Sequence, residues 1–103
     1  LVATILRTTR ALQDLVDIHH LIASDRPNAA DKVIERLDRR IRMLAFQPRS
    51  GAARPDIRDG LRLAVVAPYL ILYELTPDDA DAETLTVLIV RVVDSRRDLN
   101  EAI

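Results

Sequence analysis

The stretch Leu61-Arg-Leu-Ala-Val-Val-Ala-Pro-Tyr-Leu-Ile-Leu-Tyr-Glu-Leu75, followed by Leu85-Thr-Val-Leu-Ile-Val-Arg-Val-Val93, decides the fold. It contains three apolar runs of strand length, Leu61 to Val66, Tyr69 to Leu75 and Leu85 to Val93, rich in β-branched residues and bounded by turn formers. Ala67-Pro68 separates the first two runs and the acidic loop Thr76 to Thr84 separates the last two, which reads as an antiparallel meander. A sheet with an apolar face needs a cover. Working outward, the first half of the chain supplies one in two amphipathic helical patterns.

The 103 residues form one domain over residues 1–103, large enough for a single modest core. Aromatic residues are confined to Phe46, Tyr69 and Tyr73, so the core is aliphatic and stacking platforms for single-stranded nucleic acid are not expected. There is no cysteine, which excludes disulfides, thiol catalysis and cysteine metal sites and fits a reducing compartment. No apolar run approaches the roughly 20 residues of a membrane span. Leu1 to Leu6 is too short for a signal-peptide core, and Arg7 and Arg10 lie on its wrong side. A cytoplasmic protein without a membrane partner is expected.

Charge is nearly balanced but unevenly spread. Asp31 to Gly60 carries Lys32, Arg36, Arg39, Arg40, Arg42, Arg49, Arg54 and Arg58 against five acids, and an acidic segment follows. A solvated helix face and a basic surface for a partner both fit this asymmetry.

In chain order, Val2 to Leu6 reads as a short first strand. Thr8 or Thr9 can cap a helix whose apolar stripe is Leu12, Leu15, Val16, His19, Ile22 and Ala23, with Asp14, Asp17 and His20 facing away. Ser24 or Asp25 can cap a second helix over about Pro27 to Phe46, with Ala30, Val33, Ile34, Leu37, Ile41, Leu44 and Ala45 on one side. Glu35–Arg39 and Asp38–Arg42 stand at the supportive i, i+4 spacing. So short a link makes the helices an antiparallel hairpin. Ala52 to Gly60 lacks periodicity and reads as a connection. In the last run strict alternation puts Leu88, Val90 and Val92 on one face and Val87, Ile89 and Arg91 on the other. Both faces of the sheet are then largely apolar, one for the helices and one for a partner.

This order resembles the RelE/ParE superfamily of toxins from type II toxin–antitoxin modules, the ParE branch most closely. The matching segments are Ala11-Leu-Gln-Asp-Leu-Val-Asp-Ile18, Pro27-Asn-Ala-Ala30, Ile41 to Leu44 with Pro48 and Gly51, Asp56-Ile-Arg-Asp-Gly-Leu-Arg62, Tyr69-Leu-Ile-Leu-Tyr73, and Arg91-Val-Val-Asp-Ser-Arg-Arg-Asp-Leu99. The chain departs from the pattern at Asp94-Ser95, where the family often has His-Gly, and in the longer acidic loop. The resemblance implies an α+β fold: a short N-terminal strand, an antiparallel helical hairpin, then a three-stranded antiparallel meander. It also implies a toxin that binds DNA gyrase and is neutralised by a cognate ParD-like antitoxin in a hetero-oligomer. No cofactor and no direct sequence-specific nucleic-acid binding are implied. RelE-branch relatives instead cut mRNA on the ribosome, and a toxin fold that has lost its toxicity is the third reading.

RNA cleavage needs a base, a general acid and cations for the charge developing on phosphorus. Arginines are plentiful, but Asp98-Leu-Asn-Glu-Ala-Ile103 holds neither the Tyr nor the His that ribonuclease relatives place there, and Ala52 to Gly60 holds no Lys. A binding toxin without catalytic residues is therefore expected. Adjacent His19 and His20 point apart on a helix, one to the core and one to solvent, and do not chelate together. Asp78, Asp79, Asp81 and Glu83 read as a solvated hairpin tip rather than a cation site. Tyr69 and Tyr73 read as packing residues.

Arg62 and Arg91 are charges inside apolar strands and need partners. Two readings stand for them: a structural ion pair with Glu74 or a loop acid, or a cationic face for the antitoxin or target. Arg96 and Arg97 lie past the last strand, exposed on either reading, and suit bidentate contact with a partner's carboxylates. These four arginines are the expected antitoxin- or target-binding residues. The antitoxin is expected in the groove between hairpin and sheet, its acids on arginines.

Overall fold

Thr8 begins the first helix as a true cap. Its backbone is extended, its hydroxyl oxygen accepts the Ala11 N–H at 3.0 Å, and its O–H donates to the Val90 carbonyl at 2.8 Å. One side chain thus starts a helix and ties it to the sheet. The computed structural model describes residues 2–77 and 85–103. In order these form β1 (Thr4–Arg7), α1 (Thr9–Ala23), α2 (Pro27–Met43), β2 (Ala52–Ala53), β3 (Leu61–Val66), β4 (Tyr69–Thr76), β5 (Thr86–Asp94) and α3 (Leu99–Ala102).

The sheet order is β1-β5-β4-β3-β2. β3, β4 and β5 form the expected antiparallel meander, while β1 adds in parallel beside β5, pairing Thr4 with Thr86 through Arg7 with Ile89, so the sheet is mixed. α1 packs on β5 and α2 on β3. Between helices and sheet lies an aliphatic core in which Leu37, Ile41, Leu44, Ile71, Val87 and Ile89 are fully buried. Each such side chain contributes about 1.5–3 kcal/mol.

Several details differ from the sequence reading. The first strand starts two residues later and α2 ends at Met43, with Leu44 to Phe46 in a turn. Neither Ser24 nor Asp25 caps α2: the cap is Arg26, without a side-chain bond, and Pro27 opens the helix where a missing N–H costs nothing. On α1 the buried positions are Ala11, Asp14 and Ile18, whereas Leu12 and Val16 are about half exposed. His19 is not a core residue, because its ring bonds Asp31 across the hairpin at 2.9 Å with the imidazole partly in solvent.

β5 carries a bulge. Tyr73 pairs with Ile89 and Leu72 with Arg91, so Val90 has no opposite residue and the facing parity flips after it. Val92 therefore joins Val87 and Ile89 in the helix-side core instead of lying opposite them. The second sheet face is covered in part by the chain itself. Leu61, Leu63, Leu70, Leu72 and Val93 pack with Ala102 of α3, bordered by Ile57, Leu99 and Ile103. β2, expected to be irregular, pairs Ala52 with Leu63 and Ala53 with Arg62.

Tyr73 does more than pack. Its buried hydroxyl donates to the Pro48 carbonyl at 2.8 Å and accepts the Gly51 N–H at 2.9 Å, fixing the loop that leads into β2. Burial, the larger influence, pushes the phenol's pKa up, so it stays a protonated donor. A Cβ on Gly51 would lie 2.5 Å from the Tyr73 hydroxyl oxygen and 2.8 Å from the Leu63 carbonyl oxygen, which explains a glycine there. Asp78, Asp79, Asp81 and Glu83 lie outside the described residues. No helix among the described residues is long and apolar enough to cross a membrane.

Tyr73→Phe leaves a buried and a part-buried backbone group unpaired and should cost about 1–3 kcal/mol in urea unfolding. Gly51→Ala, which forces a backbone shift as well, should lower the unfolding midpoint further; an unchanged midpoint for either variant would refute the lock.

Candidate partner-binding surface

The four arginines expected at the site fall in different environments. Arg91, at the β5 bulge, is buried. Its Nε and Nη2 donate to Asp14 Oδ2 and Oδ1 at 2.8 and 3.0 Å, and Nη1 donates to the Ala102 carbonyl. Asp14 also accepts the Val92 N–H at 3.0 Å, so the carboxylate seals a backbone donor at the bulge. The hydrogen bonds to Asp14 outweigh burial and hold the guanidinium pKa above its ordinary value. An aspartate assigned to the solvent side of α1 is thus the interior partner of a strand arginine 77 positions away.

Arg62 is half-buried and donates to the Gly51 carbonyl at 2.8 Å and the Arg49 carbonyl at 3.3 Å, beneath the Tyr73 lock. Glu74, one of the acids expected to pair with it, is bound instead by Arg58. Arg96 is largely exposed, with its guanidinium on Asp94 at 2.6 Å. The Asp94 carboxylate also accepts the Arg96 backbone N–H at 2.9 Å, and these two bonds depress its pKa to about 2. Arg97 is exposed, and among the described residues its side chain has no hydrogen-bond or ion-pair partner.

Arg97 lines a pocket of about 190 Å³ at the end of the sheet, with Arg10, Asp17, Leu21, Tyr69 and Asp94 among its walls. A second, larger groove of about 320 Å³ runs along the edge of β3 beside α2, lined by Arg36, Arg39, Arg40 and Met43 of the helix and by residues 65–67 at the strand end. Arg36 reaches the Ala67 carbonyl at 3.2 Å and Arg40 the Ser50 hydroxyl at 3.1 Å. Arg40 Nη1 is buried without a hydrogen-bond partner, and Arg39 has no side-chain partner among the described residues. β2 stops at Ala52 opposite Leu63, so no described strand pairs with the outer edge of β3 beyond that point, where Val65 is exposed.

In sequence, Arg36 and Arg40 stand out only as part of a basic stretch, and Arg39 also as an i, i+4 partner for Glu35, a pair that does not form among the described residues. Their signal is the spacing: with Met43 they recur at three- and four-residue steps, which places a cationic stripe on one helix face. What turns the stripe into a groove is β3 beside it, which spacing alone does not reveal. Among the described residues no group of three or more His, Cys, Asp or Glu is arranged to hold a metal ion.

A family model described as ParE toxin of type II toxin-antitoxin system, parDE, matches residues 5–99. Toxin ParE3 of Caulobacter vibrioides is 37% identical over 78 residues, which span 76% of this chain and 64% of that relative. Among solved structures, the chromosomal ParDE TA system from P. aeruginosa superposes with a TM-score of 0.71 at 19% identity, covering 90% of this chain and 96% of that one. The toxin–antitoxin complex RelBE2 from Mycobacterium tuberculosis gives a TM-score of 0.56 at 26% identity, over 91% and 99%.

Removing one member of the buried pair leaves the other uncompensated. Asp14→Ala and Arg91→Ala should each cost about 3–5 kcal/mol in denaturant unfolding, and less than the sum when combined. Asp94 should titrate near 2 in a carbon-detected NMR titration. Because its folded pKa lies below the unfolded value, its contribution is complete above about pH 4 and is lost as pH falls through 2; in Arg96→Gln the midpoint should rise toward the ordinary carboxylate value.

Proposed function

The chain belongs to the ParE family of toxins from type II toxin–antitoxin systems, and on that premise we propose that it inhibits DNA gyrase by binding and is silenced by a ParD-like antitoxin in a cytoplasmic hetero-oligomer. The observation that carries the antitoxin half is the α2–β3 groove. It combines apolar lining residues, three arginines of one helix face and an unpaired strand edge. An extended acidic tail fits all three: backbone pairing along β3, apolar side chains on Val65 and Met43, carboxylates on Arg36 and Arg39.

Binding rather than chemistry is favoured by the state of the acids beside the exposed arginines. Asp14 is locked by Arg91, and Asp94 has its pKa lowered to about 2 by Arg96, which makes it a poor proton acceptor. Among Arg62, Arg91, Arg96 and Arg97, we assign partner contact to Arg96 and Arg97 and structural roles to Arg62 and Arg91. The ribonuclease reading is kept as the alternative because the RelBE2 complex is also a structural neighbour.

The test pairs a gyrase supercoiling assay with a ribosome-programmed mRNA cleavage assay on the same purified protein. Blocked supercoiling with intact mRNA is expected; cut mRNA with active gyrase would transfer the assignment to the RelE-like alternative, and no effect in either would favour a fold that has lost toxicity. In a titration with the cognate antitoxin, Arg36→Glu with Arg39→Glu should weaken binding by at least about tenfold and flatten its salt dependence.

A further inference from the structure

The pocket at the end of the sheet is electrostatically lopsided in a way its composition hides. Two of its three acids are paired with guanidinium groups, Asp14 with Arg91 and Asp94 with Arg96, while Asp17 accepts a neutral hydrogen bond from the Gln13 amide at 2.8 Å. Its cations are less fully engaged. Arg97 has no side-chain partner among the described residues, and Arg10, largely exposed, makes only a long ion pair of 3.7 Å with Asp14. Tyr69 lines the same space, and among the described residues its hydroxyl has no hydrogen-bond partner. Ile18, Val92 and Val93 contribute apolar lining.

At about 190 Å³ the pocket is smaller than the roughly 300–1,000 Å³ of small-molecule sites. It suits one protruding side chain. A carboxylate entering it would meet the unpartnered Arg97 guanidinium, the exposed Arg10 guanidinium and a phenol donor, while its methylenes rest on the aliphatic lining. A bare phosphate would use the cations and waste the aliphatic lining. Leu21 is about three-quarters exposed at the rim and offers a contact for a neighbouring apolar residue.

We propose that this pocket captures a single acidic side chain, next to an apolar residue, of the protein that the toxin inhibits. That this partner is the inhibited protein rests on the toxin reading above. Geometry separates it from the antitoxin groove: α1 packs on β5 and α2 on β3, so a tail seated along β3 beside α2 leaves the α1 side uncovered. Arg10 and Arg97 are then the specificity-determining cations for the target, and Arg36 and Arg39 those for the antitoxin.

The pocket is tested first without any target. Isotope-labelled full chain is titrated with N-acetyl-glutamyl-leucinamide and followed by amide NMR. Saturable shifts at Leu21, Tyr69 and Arg97 are expected, with affinity lower by about tenfold in Arg97→Gln and for the glutaminyl analogue. No saturation, equal response to the neutral analogue, or stronger binding of inorganic phosphate at the same amides would overturn the site. The occupant is tested by growth arrest on induction, alongside antitoxin titration, for Arg10→Gln with Arg97→Gln. Loss of arrest with antitoxin affinity kept within about twofold is expected. Lost antitoxin affinity, or retained arrest, would overturn the assignment to the target. Wild-type protein that fails to arrest growth would instead refute the toxin reading, leaving the peptide titration to decide the pocket.

Discussion

The Asp14–Arg91 pair is the constraint on which the arrangement of elements depends. Its carboxylate comes from α1, its guanidinium from the β5 bulge, and its third hydrogen bond ends on the Ala102 carbonyl of α3. A helix from the start of the chain and two elements from its end meet at one buried charge pair. Such a pair adds little net stability over an apolar replacement, since both ions lose water. Its effect is selective. A different register of α1 on the sheet would strand a charge in the interior, at a cost of several kcal/mol. The bulge belongs to the same device, because the residue inserted at Val90 brings Arg91 and the Val92 N–H to the carboxylate together.

Much of this was legible in the sequence, and the failures have physical causes. The meander and the helical hairpin follow from periodicities of two and 3.6. Strand arginines were recognisable as needing partners. Asp14 was not recognisable as one, because hydropathy places an aspartate on the wet side of a helix unless a cation elsewhere draws it in. The bulge left no mark in a run of β-branched residues, so alternation assigned Val92 to the wrong face. β2 and α3, of two and four residues, are too short for any periodicity. The candidate surface was half legible: Arg96 and Arg97 stood out as a cluster past the last strand, whereas the α2–β3 groove exists only once two separate elements are adjacent.

The arginines thus divide by where their donors end. Those whose hydrogens reach backbone carbonyls or a buried carboxylate, Arg62 and Arg91, consume their directional bonds inside the fold. Arg39 and Arg97 keep theirs. Net charge near zero therefore conceals a surface with two separate foci of unspent positive potential, one on each helix side of the molecule. Electrostatic attraction at such foci acts before contact and favours fast association with acidic surfaces.

The short reach of β2 has a consequence for handling the protein alone. Beyond Leu63, β3 presents an open backbone edge beside the exposed Val65. Edges of this kind are templates for any extended chain, another copy of the same protein included, and natural sheets usually blunt them with charge, proline or a covering segment. Here the neighbouring arginines supply mutual repulsion between copies, and that protection weakens as salt screens it. Low ionic strength is thus the condition under which the isolated chain resists edge-to-edge aggregation, and a bound acidic strand would make the protection independent of salt.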